Sequence, residues 1–158
     1  MTPSQYRKKL EQKRQIIETC LEQKVRRYHE IRTDRKQFVA DLGEAQELDR
    51  QSQSESGREA LYEEVLNGSV QLDALVREIE LLESLRSDKV FRQVQLGAIV
   101  KTDYMNFLVA VSQPRFQVAE EEYMGVSTES PFLHQAQGMS RGDAFTVVNR
   151  TYLIKEIF

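Results

Sequence analysis

Near the start of the chain, apolar residues recur at alternating steps of three and four. Leu10, Ile17, Leu21, Val25, Tyr28, Ile31, Phe38, Leu42 and Ala45 trace one stripe, with Arg35 filling a gap. Between Ser4 and Leu48 the one helix-weakening residue is Gly43, so the pattern predicts a single long helix with a coiled-coil seam. Pro3 suits its first turn, where backbone N–H groups have no helical partner. A second stripe runs through Leu61, Val65, Gly68, Leu72, Leu75, Ile79, Leu82 and Leu85 and predicts a second amphipathic helix that ends near Ser87 and Asp88. Gly68 weakens it by about 1 kcal/mol relative to Ala and marks a close approach or a slight bend. Neither stripe is wide enough to bury itself. Two such helices joined by a short connection pack most simply as an antiparallel hairpin, about 45 Å from base to bend at ~1.5 Å per residue.

After residue 90 the period changes. The stretches FRQVQLGAIVKTD, YMNFLVAVS and EEEYMGVST read as strands, punctuated by turn signals at Gly97, Asn106 and Gln113-Pro114. SPFLHQAQG reads as a short helix, with Ser130 as cap, Pro131 in the first helical position and Gly138 at a left-handed exit. RGDAFTVVNRTYLIKEIF closes as a hairpin that turns at Asn149-Arg150. The expected architecture is α+β: a helical hairpin over 1–89, with its tip at about 48–57, then a small antiparallel-sheet domain over 90–158.

Composition narrows the chemistry. The 158 residues carry a net charge of −3, but residues 1–40 hold 11 Lys/Arg against 5 Asp/Glu, residues 41–88 hold 4 against 13, and residues 89–158 hold 7 of each. One helical arm is basic and the next acidic, so the arms are suited to pair with each other, and negative charge gathers at the bend. The basic run YRKKLEQKR has no interleaved aromatics, which favours a solvated helix face over a nucleic-acid surface. The single Cys20 excludes an intramolecular disulfide framework and, without a nearby His or second Cys, reads as a buried thiol. His29 and His134 lack metal-ligand spacing. No apolar run approaches the roughly 20 residues of a membrane span, and the first residues lack the apolar stretch of a signal peptide. A soluble cytoplasmic protein with no membrane partner and no small-molecule substrate is expected.

A helical hairpin followed by a small sheet domain containing VSTESPFLHQAQGMSRGDAF resembles the Gre transcript-cleavage factors of bacterial RNA polymerase. The matching positions are Ser130, Pro131, Gly138, Gly142 and Asp143, with YLIKEI standing where that family ends in a similar strand. The resemblance implies an FKBP-like C-terminal domain that docks on RNA polymerase through the Ser130–Phe145 region. Ser130, Pro131, Phe132, Met139 and Asp143 are its candidate docking residues; Phe132, Leu133 and Met139 either supply an apolar patch there or face the core. It also implies a hairpin tip inserted into the polymerase secondary channel, where acidic residues hold a Mg²⁺ ion and its water for hydrolysis of the backtracked RNA 3′ end. Such a protein assists the chemistry of the polymerase and is not itself an enzyme.

Mg²⁺ requires hard carboxylate oxygens and lowers the pKa of bound water. Glu55 and Glu59 are therefore the candidate catalytic pair, with Asp49 the third candidate metal ligand. The family pattern has an Asp and a Glu three residues apart, then an Asn and a Tyr. With Tyr62 on that Tyr, Glu55 takes the Asp position, Arg58 the Glu position and Glu59 the Asn position. Three readings follow: a cleavage-promoting elongation factor, a secondary-channel regulator or inhibitor that does not cleave, and a structural adaptor that associates through the helical seam. The sequence leaves open whether that seam is closed within one chain or shared in a dimer. Peptidyl-prolyl isomerase activity, a rival suggested by the FKBP-like fold, requires an aromatic-lined pocket, and the chain has no Trp and only scattered Phe and Tyr.

Overall fold

The computed structural model describes residues 1–49, 55–85 and 88–158. The chain forms α1 (Pro3–Asp49), α2 (Glu55–Ser84), β1 (Ile99–Thr102), β2 (Asn106–Ala110), β3 (Gln113–Val118), β4 (Glu121–Ser127), α3 (Pro131–Ala136), β5 (Ala144–Val147) and β6 (Arg150–Ile157). This is an α+β protein. It divides into two compact units, one of Met1–Glu22 with Glu80–Phe158 and one of Gln23–Ile79.

Local chemistry sets where α1 begins. The Thr2 hydroxyl accepts from the Gln5 N–H at 3.2 Å, and the Gln5 side-chain oxygen accepts from the Thr2 N–H at 3.0 Å. This reciprocal capping box satisfies two donors that a bare helix end would leave orphaned.

In the Gln23–Ile79 unit the two helices run in opposite directions. Lys24 pairs with Glu78 at 2.8 Å, and Arg35 approaches Gly68. Moving up α1 from Lys24 to Arg35 therefore moves back down α2 by nearly as many residues. Val25, Tyr28, Ile31, Arg35 and Phe38 on α1 and Val65, Gly68, Leu72 and Ile79 on α2 are half-buried, and Leu75 is buried. These are the positions of the two stripes, and a seam between only two helices stays open at both sides. A Cβ at Gly68 would lie 3.9 Å from Arg35 Cδ, an ordinary contact. Close approach therefore does not require glycine there.

The other unit is built on a six-stranded sheet in the order β3-β4-β2-β1-β6-β5. The expectation of an all-antiparallel sheet is corrected: β2 and β4 run parallel, from Asn106 opposite Tyr123 to Ala110 opposite Ser127. After β2 the chain reverses into β3 at the sheet edge, reverses again through Ala119 and Glu120, and returns as β4 between β3 and β2. Two reversals restore the original direction. Gln113-Pro114, expected as a turn, lies within β3, whose edge position tolerates a proline without an N–H. The strand expected over residues 91–103 is confined to Ile99–Thr102. Before it, Val94 is held by backbone hydrogen bonds to Met139 and Gly138. The last hairpin turns at Val148 and Asn149, at φ 50° and 61°, one residue earlier than expected, with Val147 paired to Arg150.

Alternation along the strands gives the sheet two covered faces. Val100, Phe107, Val109, Val126, Phe145 and Ile154 face α3 and pack with its Phe132, Leu133 and Ala136. Aromatic residues scattered in the sequence gather here: Phe107 lies 4.1 Å from Phe132, Phe132 4.9 Å from Phe145, and Phe145 5.2 Å from Tyr152, centroid to centroid. Residues of opposite parity, including Ile99, Leu108 and Tyr123, are equally buried and belong to the other face. That face meets the first turns of α1, where Lys9 lies over the Phe158 ring and Gln12 reaches the Tyr123 hydroxyl.

Candidate functional site

The sequence singles out two regions, and the structure adds a third. Of the candidate acids, Asp49 is the last residue of α1 and Glu55 the first of α2. Residues 50–54 and the side chains of Asp49, Glu55 and Arg58 lie outside the described residues. Glu59 is exposed one turn beyond Glu55, and positions four apart share a helix face. Exposed Glu63 and Glu64 follow, so α2 opens with a run of acidic positions. Among the described residues, no group of three or more His, Cys, Asp and Glu side chains lies close enough to share a metal ion.

The segment from Ser130 to Phe145 is ordered by its own side chains. Ser130 takes an extended backbone, φ −70° and ψ 151°. Its hydroxyl accepts from the Leu133 N–H at 3.3 Å and donates to the Ser127 carbonyl at 2.7 Å. Pro131 follows in the first turn and is exposed. Gly138 leaves the helix at φ 78°, and its N–H donates to the Val94 carbonyl at 2.9 Å. Gly142 adopts φ 93°, and the exposed Asp143 carboxylate accepts from the Ser140 N–H at 2.8 Å, which closes the loop into β5. Ser130, Gly138, Gly142 and Asp143 thus have definite backbone roles.

Of the two places open to Phe132, docking surface or core, the structure shows the core. It is buried between Phe107 and Phe145, because the α3 face that meets the sheet needs a large apolar side chain there. Leu133 is buried as well, and Met139 is partly buried against the same cluster. Pro131, His134, Gln135 and Asp143 are exposed positions beside them.

A third cluster lies where α1 meets the sheet. Tyr123 is buried, and its hydroxyl donates to Glu121 at 2.7 Å and accepts from Gln12 at 3.3 Å. Burial, then the Glu121 hydrogen bond, pushes its ionisation above the ordinary tyrosine range. Glu121 is held below the usual carboxylate range, first by its hydrogen bond from Lys101 at 2.6 Å and then by Tyr123. Lys9 pairs with Glu156 beside it.

One helical turn along, Lys13 is 2% exposed, donates to the Lys89 carbonyl at 2.8 Å and lies 4.0 Å from the Phe91 ring centroid. Burial lowers its pKa from 10.5 to about 8. Tyr6 and Arg14 also reach Asp88, through its carbonyl and its carboxylate, so α1 grips the segment that follows α2. Sequence reasoning placed Lys13 on a solvated basic face. The missed signal was the gap in the α1 stripe between Leu10 and Ile17, which falls on this residue.

No helix among the described residues is long and apolar enough to cross a membrane. No protein-family model matches the chain, and no curated protein matches it. Among solved structures, the transcription factor Gfh1 is 18% identical, with 87% of this chain and 92% of that chain covered, at a TM-score of 0.34. A structure of GreA factor homolog 1 of Thermus thermophilus is 15% identical, with 87% and 94% covered, also at 0.34. Superpositions this loose leave the function to be argued from the residues themselves.

Proposed function

We propose that the chain is a Gre-like transcription elongation factor: an FKBP-like domain docks on RNA polymerase, and an antiparallel coiled-coil hairpin carries its acidic bend into the secondary channel. The observation that carries this reading is the joint occurrence of two elements. Acidic positions Asp49, Glu55 and Glu59 lie at the junction of two long helices, and the Ser130-Pro131, Gly138, Gly142-Asp143 series occupies the cap, exit and loop positions that such a signature serves. The 30 residues of α2 alone supply about 45 Å of reach.

Mg²⁺ is the ion such residues would hold: it takes hard carboxylate oxygens, Glu55 and Glu59 stand four positions apart in α2, and Asp49 ends α1. Bound there beside the metal of the polymerase, such an ion would supply a nucleophilic water for phosphodiester hydrolysis. The role of this chain is to position carboxylates beside the RNA 3′ end. Arg58, at the position of the family's second acid, favours a second reading in which the tip enters the channel and modulates elongation without cleavage.

The experiment is a stalled elongation complex with Mg²⁺. Release of short 3′ RNA fragments by wild type, and its loss in Glu55→Ala/Glu59→Ala, supports the cleavage reading. Binding to polymerase without fragment release moves the assignment to the non-cleaving regulator. Failure to co-purify with polymerase at low salt refutes both and leaves the structural adaptor.

A further inference from the structure

One end of the sheet presents apolar and aromatic side chains to solvent. Val148 is 88% exposed and Tyr104 52% exposed. Both stand at turns on this end, Tyr104 between β1 and β2 and Val148 between β5 and β6. Beside them Val147 and Tyr152 are half-buried and Arg150 is exposed.

The group is held rigidly. The Thr102 hydroxyl accepts from the N–H groups of Tyr104 and Met105, and the Asp103 carboxylate accepts from the Leu153 N–H at 2.9 Å. The Tyr104 ring meets Tyr152 edge-on at 6.1 Å, and Tyr152 stacks on buried Phe145. Arg150 lies 3.7 Å above the Tyr104 ring. Among the described residues it forms no ion pair.

Val148 is the informative residue. A β-branched side chain at φ 50° is strained, and a turn with both central residues at positive φ favours Gly, Asn or Asp. Valine there sacrifices backbone comfort while placing a bare apolar side chain in water, the combination expected where a side chain serves recognition. Tyr and Arg are the residue types that dominate binding energy at interfaces, and a rigid platform loses little entropy on association.

We infer that Tyr104, Val147, Val148, Arg150 and Tyr152 form a docking surface for a protein segment that presents a carboxylate beside an aliphatic side chain. The aliphatic group covers Val148 and the tyrosine rings, and the carboxylate meets the guanidinium of Arg150, the one cation of the patch. A nucleic-acid strand would require a longer basic track. This surface lies at the opposite end of the sheet from Ser130: Tyr104 precedes β2, Ser130 follows β4, and the two strands run parallel. The inference therefore stands independently of the polymerase reading.

The test is selection of a phage-displayed random dodecapeptide library on the immobilised full chain. Enriched peptides are then resynthesised with a fluorescent label and titrated by anisotropy against wild type, Val148→Gly and Arg150→Glu. The expected result is enrichment of Asp or Glu next to Leu, Ile or Val, with at least tenfold weaker binding by each variant. Val148→Gly should also melt at a higher temperature than wild type, because glycine relieves the turn, so its loss of binding cannot come from misfolding. Absence of enrichment, or equal affinity for Arg150→Glu, overturns the proposal. So does a wild-type dimer in sedimentation equilibrium that Val148→Gly dissolves, or binding of an oligouridylate that depends on Tyr104.

Discussion

Raising the pH from 7 to 10 is expected to stabilise the unit that contains Lys13, and Lys13→Met is expected to remove that gain. In the folded protein the ammonium group is 2% exposed and its one hydrogen bond among those described goes to the Lys89 carbonyl, so its pKa falls from 10.5 to about 8. Below pH 8 the lysine is charged in both folded and unfolded chains, and the cost of burying the charge is present in full. Between about 8 and 10.5 the folded protein has released the proton while the unfolded chain retains it, so stability rises with pH. At 1.36 kcal/mol per tenfold change in acidity, the rise between pH 7 and pH 10 is roughly 2–3 kcal/mol. The Phe91 ring, 4.0 Å away, favours the charged form by about 1 kcal/mol and does not reverse the sign.

The assay is urea unfolding followed by near-UV circular dichroism of the aromatic cluster, at half-unit steps from pH 7 to pH 10, for wild type and Lys13→Met. Titration of groups common to both proteins cancels in the difference. Stopping at pH 10 also avoids Tyr123, whose raised pKa lowers stability above the ordinary tyrosine value. A difference between the two proteins that stays constant over this range, or that moves against wild type as pH rises, refutes the burial argument.

Two substitutions test the sheet and α3. Gly125→Ala should destabilise by about 1–3 kcal/mol, read as a lowered thermal midpoint, because the new Cβ would meet the Val111 carbonyl and would lie 2.8 Å from Gln113 Cβ, where β3 is irregular. Ser130→Ala should cost about 0.5–2 kcal/mol in the same measurement by removing the α3 cap, and Ser130→Asp should recover most of it. If Ser130→Ala instead melts like wild type while losing a partner, the hydroxyl serves contact and not capping.

The features legible in the sequence are those set by neighbours along the chain. A period of three and four residues specified α1 and α2 because a helix repeats every 3.6 residues whatever surrounds it. Ser130, Pro131 and Gly138 specified the bounds of α3 because capping, proline φ and left-handed exits are local chemistry.

Tertiary structure alone decided which strands meet, which faces are covered and which polar groups lose water. The parallel pairing of β2 with β4 joins residues separated by another strand, and no local signal distinguishes it from antiparallel pairing. Pro114 belongs to a strand because β3 became an edge. Phe132 turned inward because the sheet offered Phe107 and Phe145 to pack against. Lys13 is the clearest case: its charge marks it as a surface residue, yet it fills a gap in an apolar stripe and is buried where α1 meets the segment after α2. Its desolvation depends on atoms some 76 residues away in sequence, and only the folded chain brings them together.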